Sequence, residues 1–342
     1  MSVYIHGGLR IPIGVLHGQY RNMRPEMLGA QLINELINRY DISQVDGIFC
    51  GNAVGTGGNI GRLMGLMTNL PNSVPGITVD MQCASALMSI EMVYTHIASG
   101  VMDSAIAGGI ESSSLQPDRM YAAGDNREGL YKVAQFSPQD CSPLAMLEGA
   151  ERTIQKHNVL KEDLYPYIIG SHKRASEALN NPHLKSYIMP ITIDGKACVD
   201  ECIRPKMNEK LLSRMKPLLG PNSITNAGNA CLTHDGAAFV YVSNEKGPFR
   251  IHSIMPWAGN PQFSPEGALE STEAILKRTG LTMDDIDVVE WNEAFAIIDV
   301  LFNKAYPKHL EKYNKLGGAL AYGHPYGCSG AILAQAPPNL LY

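Results

Sequence analysis

Residues 76–110 read GITVDMQCASALMSIEMVYTHIASGVMDSAIAGGI, and the rest of the chain is organised around them. The β-branched run Ile77, Thr78, Val79 predicts a strand, and Cys83 follows it closely. Ala84 to Ser99 suits a helix that is apolar nearly all round, with Glu91 and His96 as exceptions, so it is expected inside a large core. Gly100 stops it, and Ala105-Ile106-Ala107 predicts a second buried strand running into Gly108-Gly109. A cysteine in the first turn of a buried helix meets unpaired N–H groups and the positive end of the macrodipole, which predicts a lowered thiol pKa. A small core cysteine fits the same pattern.

Outward from this stretch, composition limits the classes open to the chain. Its 342 residues, 45% hydrophobic and 18% charged, suit a globular protein with a large core. A net charge of -5 with no basic run argues against nucleic acid. Seven scattered cysteines (50, 83, 141, 198, 202, 231, 328) form neither a paired framework nor a zinc site, so free thiols, no metal and a cytoplasmic setting are expected. No apolar stretch predicts a membrane span.

Before the organising stretch, Pro25 opens a helix with Leu28, Leu32, Leu36 and Tyr40 on one face. Val45 to Phe49 predicts a strand, and a helix through Arg62 to Met67 follows. After it, residues 115–230 are richer in Pro, Asn, Asp, Lys and His, and read as an inserted loop domain with helices near 143–157 and 161–179. A short strand is expected over Ile188 to Ile193. Ala237 to Val242 and Phe249 to Ile254 predict strands, and Ser264-Pro265 predicts the cap and first residue of a helix ending at Gly280. The order then repeats: strand Ile286 to Glu290, loop Asn292-Glu293, helix 296–304, strand Gly318 to Ala321, loop Gly323 to Gly327, helix from Cys328. Pro337-Pro338 is expected to end that helix.

Three loops at the C-terminal ends of predicted strands carry Cys83, Asn292 and His324, the place where open α/β sheets put their sites. Cys with His suggests a thiol whose proton passes to an imidazole. Asn292 could hold a water or a carbonyl oxygen. Each also has a plainer reading: core thiol, helix cap, structural histidine.

Several motifs resemble the thiolase family of acetyl-CoA acetyltransferases and 3-ketoacyl-CoA thiolases. They include Arg10 to Gly14, Val74 through Cys83, Ala107 to Ser113, Ala134 to Pro138, Ala227 to Ala230 and Asp235 to Ala238. The most specific are Asn292-Glu-Ala-Phe-Ala296 and the run Gly317 to Ala331. The resemblance implies an α/β, five-layered αβαβα fold of two similar halves, 1–244 and 247–342, with the insertion covering coenzyme A. It implies a homodimer or homotetramer acting on acyl-CoA, no covalently held cofactor, Cys83 as acylated nucleophile, and His324 with Asn292 as base and oxyanion site. Met146, Cys231, Ala294 and Phe295 match positions lining the pantetheine channel, although Ala145, Cys231 and His234 stand where relatives usually carry His, Ser and Asn. A Cys-x-Gly-Gly-Gly strand with a second catalytic cysteine has no match after Ala331, so the second half is expected to be short of its last strand, with impaired turnover. The resemblance leaves two alternatives, a non-catalytic or hydrolytic acyl-CoA-binding remnant and a synthase-like relative using Cys83, His324 and Asn292 alone.

Overall fold

The computed structural model describes residues 1–138 and 142–335. Cys141 and the paired prolines after Gln335 lie outside them. In the first half the strands are β1 (Tyr4–Arg10), β2 (Gly14–Val15), β3 (Ile48–Gly51), β4 (Gly76–Val79) and β5 (Ser104–Ser112). Between them run α1 (Pro25–Arg39), α2 (Ile60–Leu66) and α3 (Ser85–Ala98). The inserted region holds two short hairpins, β6 (Arg119–Met120) with β7 (Leu130–Tyr131) and β8 (Thr192–Ile193) with β9 (Lys196–Ala197). Its helices are α4 (Ala145–Lys156), α5 (Tyr165–Ala178), α6 (Pro182–Ser186) and α7 (Glu209–Ser213). Then follow β10 (His234–Ser243), β11 (Phe249–Arg250), α8 (Gly267–Thr279), α9 (Ala296–Ala305), α10 (Ala319–Tyr322) and α11 (Ser329–Gln335).

One seven-stranded mixed sheet runs β11-β1-β10-β5-β3-β4, with β2 on the end of β10. β3 is parallel to both β4 and β5, while β10 is antiparallel to β5 and β1. Its central strands β3, β5 and β10 are buried on both faces, so alternate side chains enter different cores. Cys50, Ile106, Ile110 and Phe239 meet Leu28, Leu32, Ile33 and Leu36 of α1. Phe49, Ala105, Ala107, Val240 and Val242 meet Ile90, Val93 and Ile97 of α3. Ala86 and Ala331 pack with Ala238 and Cys328, which brings α11 against α3 and the sheet.

Several expectations change, and the strands expected over 188–193 and 249–254 shrink to β8 and β11. α3 buries only the face carrying Ala86, Ser89, Ile90, Val93 and Ile97; Leu87 is 40% exposed. Gly318 to Ala321 is not a strand: Ala321 and Tyr322 donate N–H bonds to the Gly318 carbonyl, forming the single turn α10. Ile286 to Glu290 is not a strand of the sheet and forms one parallel bridge, Val289 with Tyr313. Asn260, not Ser264, caps the turn before α8, which starts two residues after Pro265. The stop at Gly280 holds, with φ +71 in the left-handed region. The second half shares its core with the insertion: Ile154, Leu164 and Ile168 pack with Trp291, Phe295, Ile298 and Phe302.

Candidate active site

β4 ends at Val79, and the chain turns sharply to bring Cys83 in front of α3. Gln82 takes the left-handed φ of +50, a conformation that costs a non-glycine residue free energy. Local bonds hold it there. Gln82 donates its N–H to the Asp80 carboxylate at 2.9 Å, and the Ser85 hydroxyl donates to the Gln82 carbonyl at 2.6 Å. Cys83 thus sits in a 3₁₀ turn, half-buried. Its thiol is pushed up to about 12, first by burial and second by the Glu111 carboxylate. This corrects the lowered pKa expected from the helix terminus, because a dipole effect of roughly 1 kcal/mol or less is outweighed by desolvation and a buried like charge. The resting group is a neutral thiol.

His324 lies in the loop between α10 and α11 and is 2% exposed. Its ring orientation follows from its partners. The Ser329 hydroxyl donates to the Pro325 carbonyl at 3.0 Å, so the 2.6 Å contact between Ser329 Oγ and His324 Nδ1 is made by a proton on Nδ1. The free lone pair is then on Nε2; Asn292 Nδ2 lies 3.2 Å from Nε2 and 3.5 Å from Nδ1, over the ring rather than along that lone pair. Burial, with His234 as the second cause, lowers the imidazole to about 3. The backbone N–H of His324 also donates to His234 Nδ1 at 3.0 Å, which holds the loop from below. His324 is therefore neutral, with a basic nitrogen presented on a fixed ring. Asn292 and His324 are joined directly, whereas Cys83 makes no side-chain hydrogen bond to either. Tyr326 stands edge-on to His324, 4.9 Å between ring centres, and its hydroxyl is raised by burial and then by the proximity of Cys83 and Cys231.

The Asn292 loop is anchored by its neighbour. Glu293, fully buried, accepts from Ser171 Oγ at 2.6 Å and from Asn314 Nδ2 at 2.9 Å. Cys231 donates its N–H to the Ala294 carbonyl at 2.8 Å, and its thiol lies 3.1 Å from the Glu293 carbonyl. Cys231, Ala294 and Phe295 therefore form one strip, and Met146 borders the same apolar cluster as Phe295. A cavity lined by Arg10, Glu290, Asn292 and Ser329 opens behind Asn292. A second groove runs along Met81, Ala84, Leu87 and Met88 towards Met255 and Trp257.

The histidine loop reaches the sheet because three glycines leave room. A Cβ on Gly109 would stand 1.9 Å from the Gly327 carbonyl oxygen, and one on Gly51 would stand 2.4 Å from it. Glu111, 1% exposed at the end of β5, then binds both loops with one carboxylate. Sequence reading assigned no role to Glu111, Gln82, Tyr326 or Ser329. Two signals were available for Glu111, a lone carboxylate ending an apolar strand and its place in the motif Ala107 to Ser113. Among the described residues no cluster of three or more His, Cys, Asp or Glu side chains could hold a metal ion, and no helix is long and apolar enough to cross a membrane.

The family models for the thiolase N-terminal domain and the thiolase C-terminal domain match residues 3–246 and 249–340. The chain belongs to the thiolase family. The VraB protein of Staphylococcus epidermidis, named as an inferred acetyl-CoA C-acetyltransferase, is 33% identical over 340 residues, covering 95% of this chain and 88% of its own length. VraB of Staphylococcus haemolyticus, with the same naming, is 32% identical over 346 residues, covering 97% and 90%. The crystal structure of the Bacillus anthracis acetyl-CoA acetyltransferase superposes with a TM-score of 0.90 at 25% identity, over 98% of this chain and 90% of that one. These likenesses support acyl transfer from coenzyme A thioesters at the level of the family, and a thiolase fold.

Proposed function

We propose that this thiolase-family chain moves an acyl group between 3-ketoacyl-CoA, such as acetoacetyl-CoA, and CoA through a thioester on Cys83. The observation that carries the reading is the neutral His324, fixed by Ser329 with its Nε2 lone pair free and Asn292 Nδ2 over the ring, on a loop docked beside the Cys83 turn. Acylation from an acyl-CoA needs a thiol, a base and a donor to the carbonyl oxygen. Cys83 Sγ bonds to the carbonyl carbon as its proton passes to His324 Nε2. The carbonyl π pair moves to oxygen, where the new imidazolium N–H and Asn292 Nδ2 donate to it. With an acyl-CoA donor, collapse breaks the carbon–sulfur bond and the leaving thiolate recovers the proton from His324; with a 3-ketoacyl-CoA donor the carbon–carbon bond breaks instead, and the leaving acetyl-CoA carbanion takes that proton. Because thiol and imidazole both rest neutral, the proton moves as the thioester engages rather than before.

In this reading Met146, Cys231, Ala294 and Phe295 wall the pantetheine arm, the region 115–230 covers the CoA, and the protein works as a homo-oligomer. The test is incubation with radiolabelled acetyl-CoA, followed by peptide mass spectrometry and single-turnover rates. The label should fall on Cys83, and His324→Ala should slow its appearance by about a hundredfold, the size of a lost general base. Label spread over Cys50 and Cys198, or an unchanged rate in His324→Ala, would overturn the assignment.

A further inference from the structure

We propose that Glu111 is a positioning residue of this reaction, a single carboxylate that locks the His324 loop onto the strand ends beside Cys83. The inference rests on Cys83 being the acylated group. Glu111 Oε1 accepts from Asn52 Nδ2 at 2.9 Å and from the Gly55 N–H at 3.4 Å. Oε2 accepts from the N–H groups of Ala53 at 2.9 Å, Val54 at 3.2 Å and Gly327 at 2.9 Å. Gly327 is 216 residues away in sequence and three residues from His324. Asn52 in turn donates its N–H to the carbonyl of Val79 at 3.0 Å, where β4 ends and the turn to Cys83 begins. One side chain therefore ties the end of β3, the approach to the nucleophile and the histidine loop.

All five partners are N–H donors, an arrangement made for an anion. A protonated carboxyl or an amide would put a hydrogen against one of them. Yet the titratable groups that face Glu111 are four neutral ones: Cys50 on β3, Cys83, and Tyr326 and Cys328 from the histidine loop, each pushed up first by burial and further by its charge. Burial raises Glu111 itself to about 7. The carboxylate thus has two separable effects, a mechanical one through its five bonds and an electrostatic one on Cys83.

Two variants separate them. Glu111→Gln keeps the shape, removes the charge and turns one acceptor into a donor. Glu111→Asp keeps the charge and shortens the reach, so that residues 53–55 and Gly327 cannot be bound together. Cys83 labelling by iodoacetamide, followed across pH by peptide mass spectrometry, reads the charge; single-turnover acylation by acetyl-CoA reads the positioning. Glu111→Gln should label Cys83 about tenfold faster at a fixed pH near 8, as a thiol lowered by about one pH unit does, while acylating roughly a hundredfold more slowly. Glu111→Asp should label at nearly the wild-type rate and still acylate slowly. Faster labelling with slower acylation is not what simple loosening produces, provided that circular dichroism and a cooperative melt show the variant folded. Wild-type labelling rates in Glu111→Gln, or wild-type acylation in either variant, would overturn the proposal. If Glu111→Gln does not fold, Glu111→Asp with wild-type acylation is still refuting. Should the wild-type protein itself fail to acylate, the proposed function falls, while the labelling comparison still decides whether Glu111 restrains Cys83.

Discussion

In the first half of the molecule β10 finds β5 on one side and β1 on the other, and pairs with β5 from Asp235 through Ser243 without a break. In the second half the segment from Ile286 to Trp291 is bridged to one other segment, at Val289. Val289 donates its N–H to Lys312 and accepts from Asn314, both at 2.9 Å. Beyond that point a side chain takes over the ladder: Asn314 Oδ1 accepts from the Trp291 N–H at 2.9 Å, and its Nδ2 donates to the Trp291 carbonyl at 3.0 Å. The two regions satisfy the same backbone requirement in different ways, one by continuous pairing and one by a buried amide. Where pairing is continuous, the site is built by close backbone approach. Where it is not, the site is built by polar side chains, with Asn314 and Ser171 gripping Glu293 beside Asn292.

The largest effect should come from breaking the backbone approach. Gly109→Ala places a methyl against two carbonyl oxygens, those of Gly327 and Gly51, and neither belongs to a flexible side chain. A destabilisation on the order of 3 kcal/mol or more is expected, since such overpacking cannot be relieved by a rotamer change. Urea unfolding measures it, and Cys83 should lose its labelling selectivity together with the stability. A change below about 1 kcal/mol would mean that the histidine loop moves away easily and that the docking is loose.

That asymmetry also explains what could be read from residues alone. β5, β10 and α1 were legible because their apolar patterns are long and each element finds a partner in the same half. The segments 286–290 and 318–321 were misjudged as strands because strand propensity states a preference for pairing, and pairing depends on neighbours. Cys83, Asn292 and His324 stood out as reactive types in loops after predicted strands. Asn292 and His324 meet in the structure, although neither follows a sheet strand among the described residues, and the chemical roles of all three rest on the proposal above. The state of the Cys83 thiol was not legible, since Glu111 lies 28 positions away and only the sheet brings them together. Met146, Cys231, Ala294 and Phe295 came from family resemblance alone, because no local pattern distinguishes a channel wall from ordinary core.

The second half should give a smaller response at its own linchpin. Asn314→Ala removes an acceptor from the Trp291 N–H and donors from the Trp291 carbonyl and Glu293, all of them buried. The loss should be about 2 kcal/mol, the usual penalty for leaving buried polar groups unpaired. Hydrogen exchange should place it: protection should fall around 289–293 and stay unchanged across β5 and β10. Equal loss of protection in both regions would show that they unfold as one unit and that the contrast between them is only structural.

The smallest effect is expected at Gly280, and it isolates the other reason for a glycine. Gly109 is needed for space. Gly280 has nothing within 4 Å of where a Cβ would stand, but it closes α8 at φ +71 with its N–H donating to the Leu276 carbonyl. Gly280→Ala therefore meets no clash and carries only the left-handed backbone cost, about 1 kcal/mol. Asparagine tolerates that region better than alanine, so Gly280→Asn should lose distinctly less. Neither change should alter Cys83 labelling, since α8 holds none of the site's hydrogen bonds. Thermal melts of the two variants provide the comparison. Equal destabilisation by Ala and Asn would show that α8 ends in solution at a different residue, and that the turn at Gly280 does not set the boundary of the second half's longest helix.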